Sequence, residues 1–175
     1  MHYRRASAAG GIYFFTVNLA DRSSQLLIEK ISALRESVRL VKSRHPLEID
    51  AWVVLPDHLH AVWTLPPGDA DYSLRWALIK AGFSRCVESG EPIGASRAKK
   101  GERGIWQRRF WEHQIRDDKD FARHIDYVHI NPVKHGYIQR AADWPHSTIH
   151  RYIRKGLMSR DWAGSSLEDL PAGER

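Results

Sequence analysis

At 175 residues, 42% of them apolar, the chain is long enough to bury one substantial core and short for two. No run of 18 apolar residues and no convincing signal peptide occur, which excludes a membrane-spanning helix and points to the cytoplasm; the single cysteine, Cys86, excludes an internal disulfide and a Cys-x-x-Cys metal or redox site. The net charge of +6 is unevenly spread, with +1 over residues 1–96, +8 over 97–160 and −3 over 161–175, as expected of a surface that meets phosphate.

Residues 12–18, "IYFFTVN", follow a Gly-Gly pair and are rich in β-formers, so they predict a first strand. In "LLIEKISALRESVRLVKSRH" the residues Leu27, Ile31, Leu34, Val38 and Val41 recur at spacings of four and three, which predicts an amphipathic helix. After Pro46, "LEIDAWVVL" alternates, Pro56-Asp57 makes a tight connection and "HLHAVWTL" supplies the next strand, so the pair forms a hairpin. Residues 72–87 predict a second helix, and "EPIGASRAKKGERG", which lacks periodicity, an exposed and mobile loop. A short strand at "FWEHQIR" precedes a helix over 119–131, capped by Asp117 or Asp118 and ended by Pro132 with Gly136 beyond. A last short helix runs from Ser147 to about Lys155. Residues 1–157 then form one domain, and the acidic tail over 158–175 is expected to be loosely ordered. The order β-α-β-β-α-β-α predicts an α+β, ferredoxin-like (RRM-like) sandwich, an antiparallel sheet with helices on one face and the other face free to carry a site.

The second strand of the hairpin raises the functional question. Successive strand residues point to opposite faces, so His58 and His60 project together with Val62 and Thr64, while Leu59, Ala61, Trp63 and Leu65 face the other way. Two imidazoles about 7 Å apart at Cα can converge on a divalent ion; alone, they are also readable as polar residues on a half-exposed strand. The helix over 119–131 offers a third ligand. Phe121, Ile125 and Val128 form its apolar stripe, and Tyr127 and Asn131 lie one turn apart along its margin. Asn131 supplies a hard carbonyl oxygen suited to Mg²⁺ or Mn²⁺, and Tyr127 supplies a phenol. Spacing alone does not show that this helix crosses the histidine strand.

Taken together, "LPDHLHAVWTLP", "GIWQRRFWEHQIRD" and "HIDYVHINPVKHGY" resemble, in order, the motifs of the REP-associated tyrosine transposases, relatives of the single-tyrosine HUH transposases. The resemblance covers roughly residues 3–157. It implies that His58, His60 and Asn131 hold a divalent metal and that Tyr127 is the nucleophile. The implied activity is nicking and strand transfer at palindromic single-stranded DNA hairpins through a 5′-phosphotyrosine, by a monomer or homodimer. His124 and His129 are either surface residues or proton acceptors for the phenol. Arg4, Arg5, Arg103, Arg108, Arg109 and Lys134 are the candidate DNA-binding cations, and Trp106, Phe110 and Trp111 either stack bases or belong to the core. Two rival readings are a non-catalytic nucleic-acid-binding module of the same shape and a metal-dependent hydrolase built on His-x-His.

Overall fold

Two nearly unbroken apolar runs take the centre of the sheet in the computed structural model, which describes residues 10–162; Arg4, Arg5 and residues 163–175 lie outside the described residues. In chain order the elements are β1 (Ile12–Asn18), α1 (Leu26–Glu29), α2 (Ile31–Arg44), β2 (Glu48–Val54), β3 (His58–Thr64), α3 (Tyr72–Arg85), α4 (Ala95–Ala98), β4 (Trp111–Gln114), α5 (Asp118–Lys134), a 3₁₀ turn (Ala141–Asp143) and α6 (Ile149–Arg154). The strands stand in the order β2-β3-β1-β4 and every neighbouring pair is antiparallel, the expected ferredoxin-like arrangement. No helix among the described residues is long and apolar enough to cross a membrane.

Alternation along the strands builds two cores. Tyr13, Phe15 and Val17 of β1 and Leu59, Ala61 and Trp63 of β3 meet α2 and α3 through Leu34, Val41, Trp76, Ile79 and Phe83. Trp63 and Trp76 stack with centroids 4.2 Å apart. Arg75 is buried beneath this layer because its donors are consumed by the carbonyls of His45, Pro46 and Asp71 and by the Asp69 carboxylate.

The opposite face is not free. Phe14, Ala51, Val53 and Val62 present a second apolar surface, and Ile125 and Val128 of α5 cover it. Exposing such side chains forfeits about 1.5–3 kcal/mol each, which is why a helix packs there. The histidines therefore lie between sheet and helix rather than on an open surface. This changes how a substrate must approach them.

α5 also runs further than its sequence suggests. Asp117 caps it by accepting from the Asp120 amide, but Pro132 does not end it. The helix continues to Lys134 and closes where Gly136, at φ +73°, allows Tyr137 N–H to reach the Pro132 carbonyl and Gly136 N–H the Val133 carbonyl. That extra turn keeps Asn131 inside the helix and brings Lys134 and His135 to the same end as Tyr127.

The segment expected to be a mobile loop contains α4 and is pinned from within. Arg103 donates to the carbonyls of Ser84, Val87 and Glu88 and pairs with Glu91, and Arg97 donates to the carbonyls of Arg103 and Trp106. Trp106 is buried against Phe83, and the Lys80 ammonium sits 5.8 Å from its ring centre and 5.4 Å from that of Phe110 while donating to the Gln107 carbonyl. Burial, with Arg97 nearby, pushes Lys80 down to about 8. The unfolded chain keeps that proton to about 10.5, so the stability cost of the buried charge is full below pH 8 and disappears as the pH rises through that window. Any stability advantage of a Lys80→Met variant over the parent, read from denaturant unfolding, is expected to shrink between these limits. A gap that stays constant with pH would contradict the desolvated ammonium.

Candidate functional site

β3 fixes both imidazoles on the face covered by α5. His58 lies opposite Asn18 and His60 opposite Thr16, and the two rings stand 5.0 Å apart at 81°. Each Nδ1 is already engaged. His58 Nδ1 donates to Asp57 Oδ1 at 2.8 Å, and His60 Nδ1 hydrogen-bonds the Thr16 hydroxyl at 2.9 Å. For His58 the nitrogen left to offer is Nε2, a buried atom that makes no hydrogen bond. A carboxylate on the far nitrogen fixes the tautomer and raises the basicity of the near one, the usual support for a metal-bound histidine.

Asp57 is itself held. Arg22 Nε donates to Asp57 Oδ2 at 2.6 Å, and Arg22 Nη1 donates to Asn18 Oδ1 at 2.6 Å. Burial pushes the Asp57 carboxyl up, but His58 and Arg22 outweigh it and leave it below its ordinary value. Asp57 is therefore ionised at neutral pH and orients His58. Asp57→Asn is expected to weaken Mn²⁺ binding by about 10–100-fold in calorimetric titration while the protein stays folded. An unchanged affinity would remove Asp57 from the site.

α5 brings the phenol to this pair. The Tyr127 ring lies 5.1 Å from that of His60, near-perpendicular to it, and rests edge-on against Phe14 at 5.6 Å. Asn131, one turn further along, is fully buried, its Oδ1 included. Lys134 Nζ stands 4.9 Å from the centre of the Tyr127 ring, and the His135 ring lies 5.1 Å from His58. Tyr127, Asn131 and Lys134 thus descend one side of α5, with His135 just past its end. Two imidazole nitrogens and an amide oxygen are a donor set compatible with a divalent cation such as Mg²⁺ or Mn²⁺. The cluster is buried yet polar, with the Asp57 carboxylate and the Thr16 hydroxyl on the rings.

His124 and His129 are not surface residues. His124 Nδ1 donates to the Asp120 carbonyl at 2.8 Å and lies 3.1 Å from its carboxylate, whose other oxygen meets His113 Nε2 at 2.8 Å. His113, Asp120 and His124 offer ligand-type atoms within 4.8 Å of one another, a grouping the sequence reading missed. It is distinct from the His58–His60 pair: Phe14 stands between them, 4.8 Å from His124 and 5.6 Å from both His60 and Tyr127. Its members hydrogen-bond one another, and they fasten α5 to β4. Burial lowers the His124 pKa. His129 packs on Tyr152, bonds the Thr148 hydroxyl at 2.9 Å and is pushed by burial to about 3.

The candidate DNA-binding cations separate. Arg103 is committed to the internal bonds described above. Arg108 is exposed and pairs with Glu102 at 2.7 Å and Ser96 at 3.1 Å; Arg109 and Lys134 are exposed; Arg4 and Arg5 lie outside the described residues. Of the three rings, Trp106 is buried, while Phe110 and Trp111 are half-buried.

No protein-family model matches the chain. Individual proteins do. It is 49% identical over 173 residues to the REP-associated tyrosine transposase of Escherichia coli (strain K12), covering 99% of this chain and 96% of that one. A relative of the same description from Haemophilus influenzae is 43% identical over 165 residues, 94% of each chain. A solved structure of a REP-associated tyrosine transposase bound to a REP hairpin superposes with a TM-score of 0.85 at 48% identity, over 100% of this chain and 98% of that chain. Identity of this degree over nearly the whole length, on the same fold, places the chain in the REP-associated tyrosine transposase family.

Proposed function

We propose that the protein nicks single-stranded DNA beside a short palindromic hairpin and rejoins strands through a covalent 5′-phosphotyrosine on Tyr127. The observation that carries this reading is the meeting of the Tyr127 ring with the His60 ring at 5.1 Å, with His58 a further 5.0 Å on. The related structure that holds a REP hairpin supports a substrate of that class. His60 and Tyr127 of the same chain meet, which supports a site formed within one protomer.

Tyr127 Oη attacks the scissile phosphorus and gives up its proton; the bond from phosphorus to the 3′-oxygen breaks, and that oxygen takes up a proton. The new phosphotyrosine keeps the energy of the phosphodiester, so a second 3′-OH reverses the step and joins strands without ATP. His58, His60 and Asn131 would hold Mg²⁺ or Mn²⁺, which would supply Lewis-acid stabilisation of the phosphate charge. Asp57 and Thr16 keep the two rings oriented for this. Lys134, beside the Tyr127 ring, neutralises charge on the phosphate or on the phenolate. Arg108 and Arg109 hold the backbone of the strand.

The polarity of the products tests the reaction. With Mn²⁺ and a hairpin strand labelled at its 5′ end, the labelled fragment is expected to leave free, with a 3′-OH that a polymerase extends, while the other fragment stays on the protein. A labelled fragment retained on protein, or both fragments free from the outset, would refute the phosphotyrosine chemistry.

A further inference from the structure

A cavity of about 330 Å³ opens at the β2 edge of the sheet, between α2 and the strand-like segment before α6. Its volume falls within the range of about 300–1,000 Å³ typical of small-molecule sites. Val38, Ile49, Trp52 and Pro145 make its apolar walls, and Arg35 and Lys42 stand exposed at its rim. No carboxylate is among the described residues that line it.

Trp52 gives the cavity its character. Its indole lies parallel to that of Trp63, at 7° with centroids 6.3 Å apart, and within 20° of Trp76 at 5.9 Å, so Trp52 lies alongside the stacked Trp63–Trp76 pair and, half-buried, borders the cavity. The backbone here is locked. Trp52 N–H donates to the Thr148 hydroxyl at 2.8 Å, Thr148 N–H to the Trp52 carbonyl at 2.9 Å, and Val54 N–H to the His146 carbonyl at 2.9 Å. Arg151 Nη2 donates to the carbonyls of Ile49 and Asp50, and Arg35 Nη2 meets His146 Nδ1 at 3.4 Å; Arg35 and Lys42 are the exposed cations at the rim. An indole beside a cationic rim fits a flat, apolar-faced group that carries an anion. Those are the two halves of a nucleotide.

We infer that this cavity takes one unpaired nucleotide of the single strand, its base laid on Trp52 and its phosphate at Arg35 and Lys42. The inference rests on the reading of the substrate as single-stranded DNA and adds a second point of attachment, outside the residues that hold the metal and the nucleophile. One base held at a fixed place on the rigid sheet edge sets how far along the strand the scissile phosphate lies from the hairpin. The cavity therefore contributes to register as well as affinity.

The test uses the full chain and a set of hairpin oligonucleotides, each carrying one 5-bromodeoxyuridine at a successive unpaired position, irradiated in complex and mapped by mass spectrometry. The expected result is a crosslink at Trp52 from one position only, and about a tenfold loss of affinity for the strand in an Arg35→Glu/Lys42→Glu variant, the scale of one lost base contact. These two rim residues are exposed, so the variant keeps the fold. Absence of any crosslink in the cavity overturns the inference, and so does lost affinity without one, which would show a merely cationic surface. A cavity that protects Trp52 with a free deoxynucleoside 5′-monophosphate but never with a strand also overturns it. A crosslink without covalent adduct at Tyr127 would refute the nicking reading alone; an adduct without the crosslink would refute the cavity alone.

Discussion

Tyr127→Phe is expected to abolish the protein–DNA adduct and to lower nicking by on the order of a thousandfold or more, while hairpin binding in a gel-shift measurement stays within about twofold of the parent. Only the hydroxyl is removed. The ring keeps its contacts with Phe14 and His60, and no volume is lost from the layer between α5 and the sheet, so the fold is preserved. The nucleophile, by contrast, has no substitute, because phenylalanine has no oxygen to attack phosphorus. The same variant separates the rival readings. A binding module would lose nothing, and a hydrolase that activates water on His-x-His would go on cutting.

The second large effect is expected at the imidazole pair. His58→Ala removes one of two nitrogen donors and leaves Asp57 facing a gap, so Mn²⁺ affinity should fall by more than about 100-fold and adduct formation with it. The fold should survive at a cost of about 1–3 kcal/mol, since a buried hydrogen-bonded ring is lost. The informative control is His113→Ala. His113, Asp120 and His124 also bring histidine and carboxylate together, and only mutation tells which cluster the activity depends on. Electron paramagnetic resonance of bound Mn²⁺ should lose its signal in His58→Ala and keep it in His113→Ala. The reverse pattern would move the metal to the β4–α5 junction and leave the histidine pair as hydrogen-bonded core.

Much of this site was legible because strand alternation is a local rule. The split of β3 into Leu59, Ala61 and Trp63 on one side and His58, His60 and Val62 on the other follows from the pleat, and the cores divide along it. The one-turn spacing of Tyr127 and Asn131 was equally local. What spacing could not give was the crossing of α5 over β3, which depends on how two distant apolar surfaces pair. The signal for it was present in Phe14, Val53 and Val62, three apolar residues on the face expected to be open. Asp57 was read only as a turn residue, although its place beside His58 puts a carboxylate within reach of that ring. Arg103 shows the converse. A cation in a basic run reads as a phosphate contact, yet its donors go to the carbonyls of Ser84, Val87 and Glu88 at and just past the end of α3, bonds that no sequence periodicity announces. Pro132 was read as a stop because it removes one backbone donor; the helix instead runs to Lys134, and Gly136, four residues past the proline, supplies the ending.

The proposed reaction requires the phenol of α5 to react beside the histidines of β3. Incubation of the full chain with Mn²⁺ and a single-stranded hairpin, followed by denaturation, proteolysis and mass spectrometry of the DNA-bound peptide, measures this directly. The account predicts one modified peptide, with the nucleotide joined by its 5′-phosphate to Tyr127. A nucleotide on any other residue, or strand cleavage with no peptide ever attached, would contradict it.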